Sequence, residues 1–170
     1  FLGVNNTEAQ IFSKFNSPYI VRMYGACSSL NAVVLEYCRY GSVESCYGSP
    51  EMTDKMKSLI CYDFARGIKY LHENNHTHRD LKPDNLLLVS FSTELDVPRA
   101  KLSDFGTSQT ALQKTEFKSV EGTPAFIAPE VVTGKYDKRC DVYSFGMSVW
   151  SIFSEKLPNE DPAFGSIQDE

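Results

Sequence analysis

The chain has 170 residues, a length that fits one domain or part of a larger one. Its 17 Lys and Arg against 22 Asp and Glu give a net charge of −5, which excludes a bulk electrostatic grip on nucleic acid or acidic lipid. Hydrophobic residues make up 42% of the chain, with 11 Phe and 9 Tyr, enough for a real core; yet no fully apolar run exceeds four residues, so no segment spans a bilayer.

The chain opens on Phe1, with no basic start leading into an apolar stretch and a cleavage site, so no signal peptide is expected. The five cysteines (Cys27, Cys38, Cys46, Cys61, Cys140) are odd in number, scattered and never in a Cys-x-x-Cys pair. That usage argues against a disulfide framework or a zinc site and for reduced thiols in a cytoplasmic setting.

In chain order, the first element expected is the end of a helix over residues 8–15, with Ile11, Phe12 and Phe15 on one face and Asn16-Ser17-Pro18 as its stop. Two strands follow, over 20–24 and 31–37, separated by a small-residue turn at 25–30. The longest regular pattern covers 53–75, where Met56, Leu59, Ile60, Phe64, Gly67, Ile68 and Leu71 recur at helical spacing. Short strands are expected at 86–89 and 100–102, joined by a polar loop. A last helix is expected over 138–153, with Val142, Phe145, Gly146, Val149, Trp150 and Phe153 as its apolar stripe. Strands early and helices late predict an α+β arrangement rather than alternating βαβ units.

The chemistry sits in three stretches. The first is His78-Arg79-Asp80-Leu81-Lys82-Pro83-Asp84-Asn85, an eight-residue pattern with chance odds on the order of 10⁻⁸ in a chain this short. The second is Asp104-Phe105-Gly106, following the strand at 100–102, and the third is Gly122-Thr123-Pro124 leading to Ala128-Pro129-Glu130. Taken together these resemble the eukaryotic protein kinases, whose catalytic loop, metal-binding signature and Ala-Pro-Glu segment have these residues in this order.

The resemblance implies a two-lobe kinase fold, truncated here: residues 1–37 a remnant of the small lobe, 38–41 the hinge, and 42–170 a large lobe lacking its terminal helices. It implies ATP and Mg²⁺ as cofactors and protein substrates as partners. Asp80 would accept the substrate hydroxyl proton, Lys82 would offset charge on the phosphate in transfer, and Asn85 and Asp104 would hold magnesium. Phe105 would pack beneath the N-terminal helix. For the nucleotide, Glu8 would pair with a strand lysine, Leu35 would guard the deeper pocket, backbone groups of Glu36 and Cys38 would bond the adenine, and Leu87 would floor it. Asp141 would hold the catalytic-loop backbone.

Thr110, Thr115 and Ser119 resemble activation-loop phosphosites facing Arg79, which implies an upstream activating kinase. Lys82-Pro83 and Thr123 resemble the Ser/Thr-directed pattern. The runs at 22–27 and 141–146 resemble the tyrosine-kinase-like group, most of whose members act on Ser/Thr and some on Tyr, so dual specificity stays open. The chain departs from the family in having no glycine-rich loop and no lysine ahead of Glu8, and no arginine in 157–170 to pair with Glu130. A truncated chain of this kind is expected to bind ATP poorly alone, and a catalytically silent scaffold is the competing expectation.

Overall fold

The computed structural model describes residues 2–3, 14–27, 29–30, 32–94, 97–105, 108–110, 122–133, 136–162 and 164. Three short strands, β1 (Leu2–Gly3), β2 (Met23–Cys27) and β3 (Ala32–Leu35), form an antiparallel sheet in the order β1–β3–β2. Strand β2 starts three residues later than expected and runs through the predicted turn at Gly25. Its register slips between Met23 and Gly25, where Met23 faces Leu35 and Gly25 faces Val34. The β-forming Ile20 and Val21 are taken by another partner. Ile20 bridges Leu102, the Val21 N–H donates to the Leu102 carbonyl at 2.8 Å, and both side chains are 2% exposed. Most of the helix expected over 8–15 lies outside the described residues; Phe15 is a buried member of the core beside Phe105 and His76.

Helix α1 (Asp54–Glu73) follows the predicted pattern closely. The Thr53 hydroxyl accepts the Met56 N–H as an N-cap, and Asp54 sits in the first turn where the helix dipole favours an anion. Met56, Ile60, Phe64, Ile68 and Leu71 are buried on one face, each contributing about 1.5–3 kcal/mol by leaving water. Gly67 on that face allows close approach: a Cβ there would lie 2.9 Å from Leu102 Cδ1 and 3.1 Å from the Tyr19 carbonyl.

Beyond α1 the chain makes β4 (His76–Thr77), β5 (Leu86–Leu88), β6 (Ala100–Leu102) and β7 (Gln109–Thr110). Strands β5 and β6 form an antiparallel hairpin in which Leu86 faces Leu102, and β4 pairs with β7. The loop between β5 and β6 wraps a fully buried Arg99, whose guanidinium pairs with Asp63 of α1 at 3.2 Å and donates to the Ser92 and Glu94 carbonyls. The short α2 (Pro129–Val132) and the long α3 (Arg139–Ser154) complete the described elements.

Helix α3 has the predicted length, and its apolar stripe is partly exposed. Val142 is 60% and Phe153 41% exposed, while Ser144, Ser148 and Ser151 are buried with Asp141 and Ile152. The cause is what α3 packs against. It meets loop backbone, whose carbonyls need donors, and the serines supply them: Ser144 to Phe126 at 2.7 Å, Ser148 to Leu81 at 3.4 Å and Ser151 to Lys156 at 2.6 Å. Among the described residues no helix is long and apolar enough to cross a membrane.

Candidate active site

The loop after β4 is held from below by α3. Asp141, fully buried in the helix's first turn, accepts the Arg79 N–H at Oδ1 and the His78 N–H at Oδ2, each at 2.9 Å, and Oδ2 also lies 2.8 Å from His72 Nε2. This clamp keeps Arg79 at φ +73°, a left-handed conformation that costs a non-glycine residue about 1–2 kcal/mol. His78 is buried and neutral, its pKa pushed down by desolvation against the opposing pull of Asp141. Its partners fix the tautomer: Nε2–H donates to the Ser103 carbonyl at 3.0 Å, and Nδ1 accepts the Asp80 N–H at 3.4 Å.

Asp80 is thereby aimed at a ring of donors. Its Oδ1 accepts the Thr123 N–H at 2.9 Å and the Thr123 hydroxyl at 3.0 Å; its Oδ2 accepts Asn85 Nδ2 at 3.0 Å and pairs with Lys82 Nζ at 3.2 Å. Lys82 also donates to Thr123 Oγ1 at 2.7 Å. Burial alone would raise the Asp80 pKa, but the Lys82 charge and the bonds from Lys82 and Thr123 outweigh it and hold the carboxyl below its ordinary value. Gly122, ahead of Thr123, has φ +119°, and a Cβ on it would lie 2.8 Å from the Arg79 carbonyl. A cavity of about 400 Å³ opens beside this cluster, walled by Glu44, Lys82, Asp84, Thr123 and Phe126.

The hairpin of β5 and β6 delivers the second half of the site. Its register sets residue 85 and residue 103 at the same end, and the Ser103 N–H and hydroxyl both donate to the Asn85 carbonyl at 2.9 Å. Asp104 follows directly, exposed and at φ +56°. Phe105 turns inward, fully buried, with its ring 5.5 Å from Phe15 and 5.1 Å from His78. Ser103 thus stitches the two distant stretches together, through Asn85 on one side and His78 on the other. Nothing in the sequence pattern distinguished Ser103, since its role is carried by its backbone as much as its hydroxyl.

At the far edge, Glu36 and Cys38 follow β3. The Glu36 N–H donates to the Arg22 carbonyl at 2.7 Å, and the Glu36 carbonyl takes a 3.9 Å contact from the Cys38 thiol. Burial, then the Glu36 charge, push the Cys38 thiol up to about 11, with Lys101 opposing. Leu35 ends β3 half-buried, and half-buried Leu87 lies in β5 opposite Ser42. The Glu36 carboxylate is gripped by Lys101 Nζ at 2.6 and 2.8 Å, a pair sequence reading missed because 65 positions separate the partners. Glu8, Thr115 and Ser119 lie outside the described residues, as does the side chain of Thr110. Arg79, expected to face a phosphate, donates to the Tyr136 hydroxyl at 3.3 Å.

An ionised Asp80, a lysine and a hydroxyl beside it, and an asparagine bonded to the residue that precedes a second aspartate define a site suited to phosphoryl transfer. Comparison with known proteins agrees: a model of the protein kinase domain matches residues 4–168, and the chain belongs to that family. Over 168 residues it is 36% identical to human mitogen-activated protein kinase kinase kinase 7, covering 92% of this chain and 27% of that protein. Two probable serine/threonine-protein kinases of Dictyostelium discoideum are also similar. The protein gdt2 is 33% identical over 156 residues, 89% of this chain and 10% of the relative; gdt4 is 36% identical over 158 residues with the same coverage. The chain therefore spans between a tenth and about a quarter of the length of these relatives. Protein kinases as a family use ATP and magnesium.

Proposed function

We propose that the protein containing this chain transfers the γ-phosphate of ATP to Ser or Thr hydroxyls of protein substrates. The observation that carries this reading is the Asp80 carboxylate, kept ionised by Lys82 and Thr123 and joined through Asn85 and Ser103 to Asp104. In this mechanism Asp80 orients the substrate hydroxyl and accepts its proton at a carboxylate oxygen. That oxygen now receives Thr123, so the incoming hydroxyl takes over part of a donor set already in place. Lys82, 3.2 Å from Asp80, offsets negative charge at the transferring group. Positioning and charge stabilisation supply most of the acceleration in reactions of this class.

Asn85 and Asp104 fit a hard divalent cation. The Asn85 amide nitrogen is turned onto Asp80, with bonds of 2.8 Å to its carbonyl and 3.0 Å to its carboxylate, which directs the amide oxygen away from Asp80. An amide oxygen and a carboxylate are the donors magnesium prefers, with phosphate oxygens completing its shell. When bound, the ion neutralises phosphate charge and orients the phosphates. Leu35, Leu87 and the backbone of Glu36 and Cys38 are assigned to the adenine, and Glu8 to the small-lobe lysine. This division places the hinge at 38–41, between a small-lobe segment at 1–37 and a large-lobe segment at 42–170.

Phosphorylation at Thr110, Thr115 or Ser119 by an upstream kinase is part of this proposal, as is a cytoplasmic location, which the five free thiols support. The test is transfer of labelled γ-phosphate by the full-length protein to a mixed protein substrate, followed by phosphoamino-acid analysis. Label on Ser and Thr is expected. Label on Tyr alone would overturn the substrate class, and no label with nucleotide still bound would favour a silent scaffold.

A further inference from the structure

We propose that Lys57 and Glu155 are positioning residues for the protein substrate: their ion pair fixes the width of the cavity beside Asp80, in which the polypeptide flanking the acceptor hydroxyl lies. This rests on the kinase reading above. Glu155 caps the C-terminus of α3 at φ +54°, in the left-handed region that glycine adopts freely and other residues do not. Strain of this kind persists only where the surroundings hold it, and here the side chain itself is held twice. Its carboxylate accepts the Gly48 N–H at 2.6 Å and pairs with Lys57 Nζ of α1 at 2.6 Å. The Lys57 side chain is only 8% exposed and also donates to the Phe153 carbonyl at 3.4 Å, so solvent screens its end of the pair little.

The two segments that Glu155 joins lead into opposite walls of the cavity. One wall is Glu44, on the turn Glu44–Cys46 just ahead of Gly48; the other is Leu157 and Asn159, just after Glu155. Lys82 and Thr123, on the catalytic side, are held by Asp80. Among the described residues no backbone hydrogen bond joins 44–49 to 153–160. Side chains join them instead: Glu155 to Gly48, and the Tyr47 hydroxyl to Ser151 at 3.0 Å. The walls also repel each other. Burial first, and then the Asp84 charge, push the Glu44 carboxyl up; Glu160, on the opposite wall, adds to this against the pull of Lys82. A tie at Glu155, anchored on α1 through Lys57, opposes that repulsion. Cutting it leaves the Tyr47 bond alone to hold the walls, so an incoming polypeptide must draw them together. Among the described residues, the bonds of Lys57 and Glu155 reach neither the groups assigned to the nucleotide nor the donors around Asp80.

The experiment uses full-length protein carrying Lys57→Met, Glu155→Gly, both together, or Lys57→Arg, with the Ser/Thr peptide that the parent labels best on an array as substrate. It reads kcat, the separate KM values for peptide and ATP, and the melting temperature. Each single variant should raise peptide KM about fivefold while kcat and ATP KM hold. A single variant leaves one charge without its partner. The double variant removes both charges and, with glycine at 155, the backbone strain, so it should melt above either single. Its peptide KM should nonetheless stay raised, and no further than in either single. Lys57→Arg keeps the charge and should hold peptide KM within about twofold of the parent. A double variant with the parent's peptide KM, an equal rise in ATP KM, or a peptide KM that follows the melting temperature would each overturn the proposal. If the parent labels no peptide, the kinase reading fails with it; if the parent labels and the double variant matches its peptide KM, only the positioning role is lost.

Discussion

Replacing Asp141 by Asn changes no volume but removes the charge that holds the catalytic loop. In the structure its carboxylate takes two backbone N–H groups at 2.9 Å and lies 2.8 Å from His72 Nε2, at a fully buried position. An amide keeps one acceptor and turns its NH₂ toward a second donor. The loss is one charge-assisted bond, about 1.5–3 kcal/mol, together with about 1–3 kcal/mol for a buried N–H left unsatisfied. The local opening penalty is thus lowered by about 2.5–6 kcal/mol, which corresponds to exchange of the His78 and Arg79 amides accelerated by about 10²–10⁴. Hydrogen exchange on the full-length protein reads this directly, on the peptide spanning 76–81. kcat should fall while nucleotide affinity stays within about twofold, because the two bonds from Ser103 to the Asn85 carbonyl, beside Asp104, do not involve Asp141. Exchange within about threefold of the parent, or an unchanged kcat, would refute the reasoning.

His78, buried with its pKa pushed down by desolvation, takes up a proton less readily in the folded state than in the unfolded chain. Stability should therefore be complete above about pH 6.5 and decline as pH falls through that unfolded value, by up to ~1.4 kcal/mol per pH unit for this group; a His78→Gln variant should show a shallower acid decline in denaturant melts. Asp80 has the same sign in a more acidic window, its depressed pKa contributing stability that is present above the ordinary carboxylate value and lost as pH falls through the folded one. Lys82→Met should move the acid limb of the kcat/KM profile to higher pH, which a pH series at fixed magnesium would read. Gly67→Ala places a methyl 2.9 Å from Leu102 and 3.1 Å from the Tyr19 carbonyl, so overpacking of about 1–3 kcal/mol exceeds the roughly 1 kcal/mol gained in helix propensity. Scanning calorimetry should show a lower transition temperature, and an equal or higher one would show that β6 yields.

What the sequence made legible was local. Residues 78–85 carry their roles within one contiguous stretch, and α1 announced itself by apolar residues recurring at helical spacing over 53–75. Failures came where a long-range partner changed the outcome. Ile20 and Val21 read as strand because they are β-formers, yet Leu102 takes them, and β2 forms three residues later. In α3 the apolar stripe was legible, but the inward-facing serines were not, because it is loop carbonyls of the tertiary fold that need their donors. The Glu36–Lys101 and Asp63–Arg99 pairs join residues that no spacing rule connects. Both bring charges to partly or fully buried positions where only the tertiary fold makes them neighbours.

The central claim is that Asp80 and Asp104 act on one nucleotide–metal complex, with Asp80 handling the proton. The most direct measurement is single-turnover phosphate transfer by full-length Asp80→Asn protein at saturating ATP and magnesium. An amide cannot take up the hydroxyl proton, so the rate should fall by about 10²–10⁴, with nucleotide affinity preserved. A transfer rate equal to that of the parent would contradict the account.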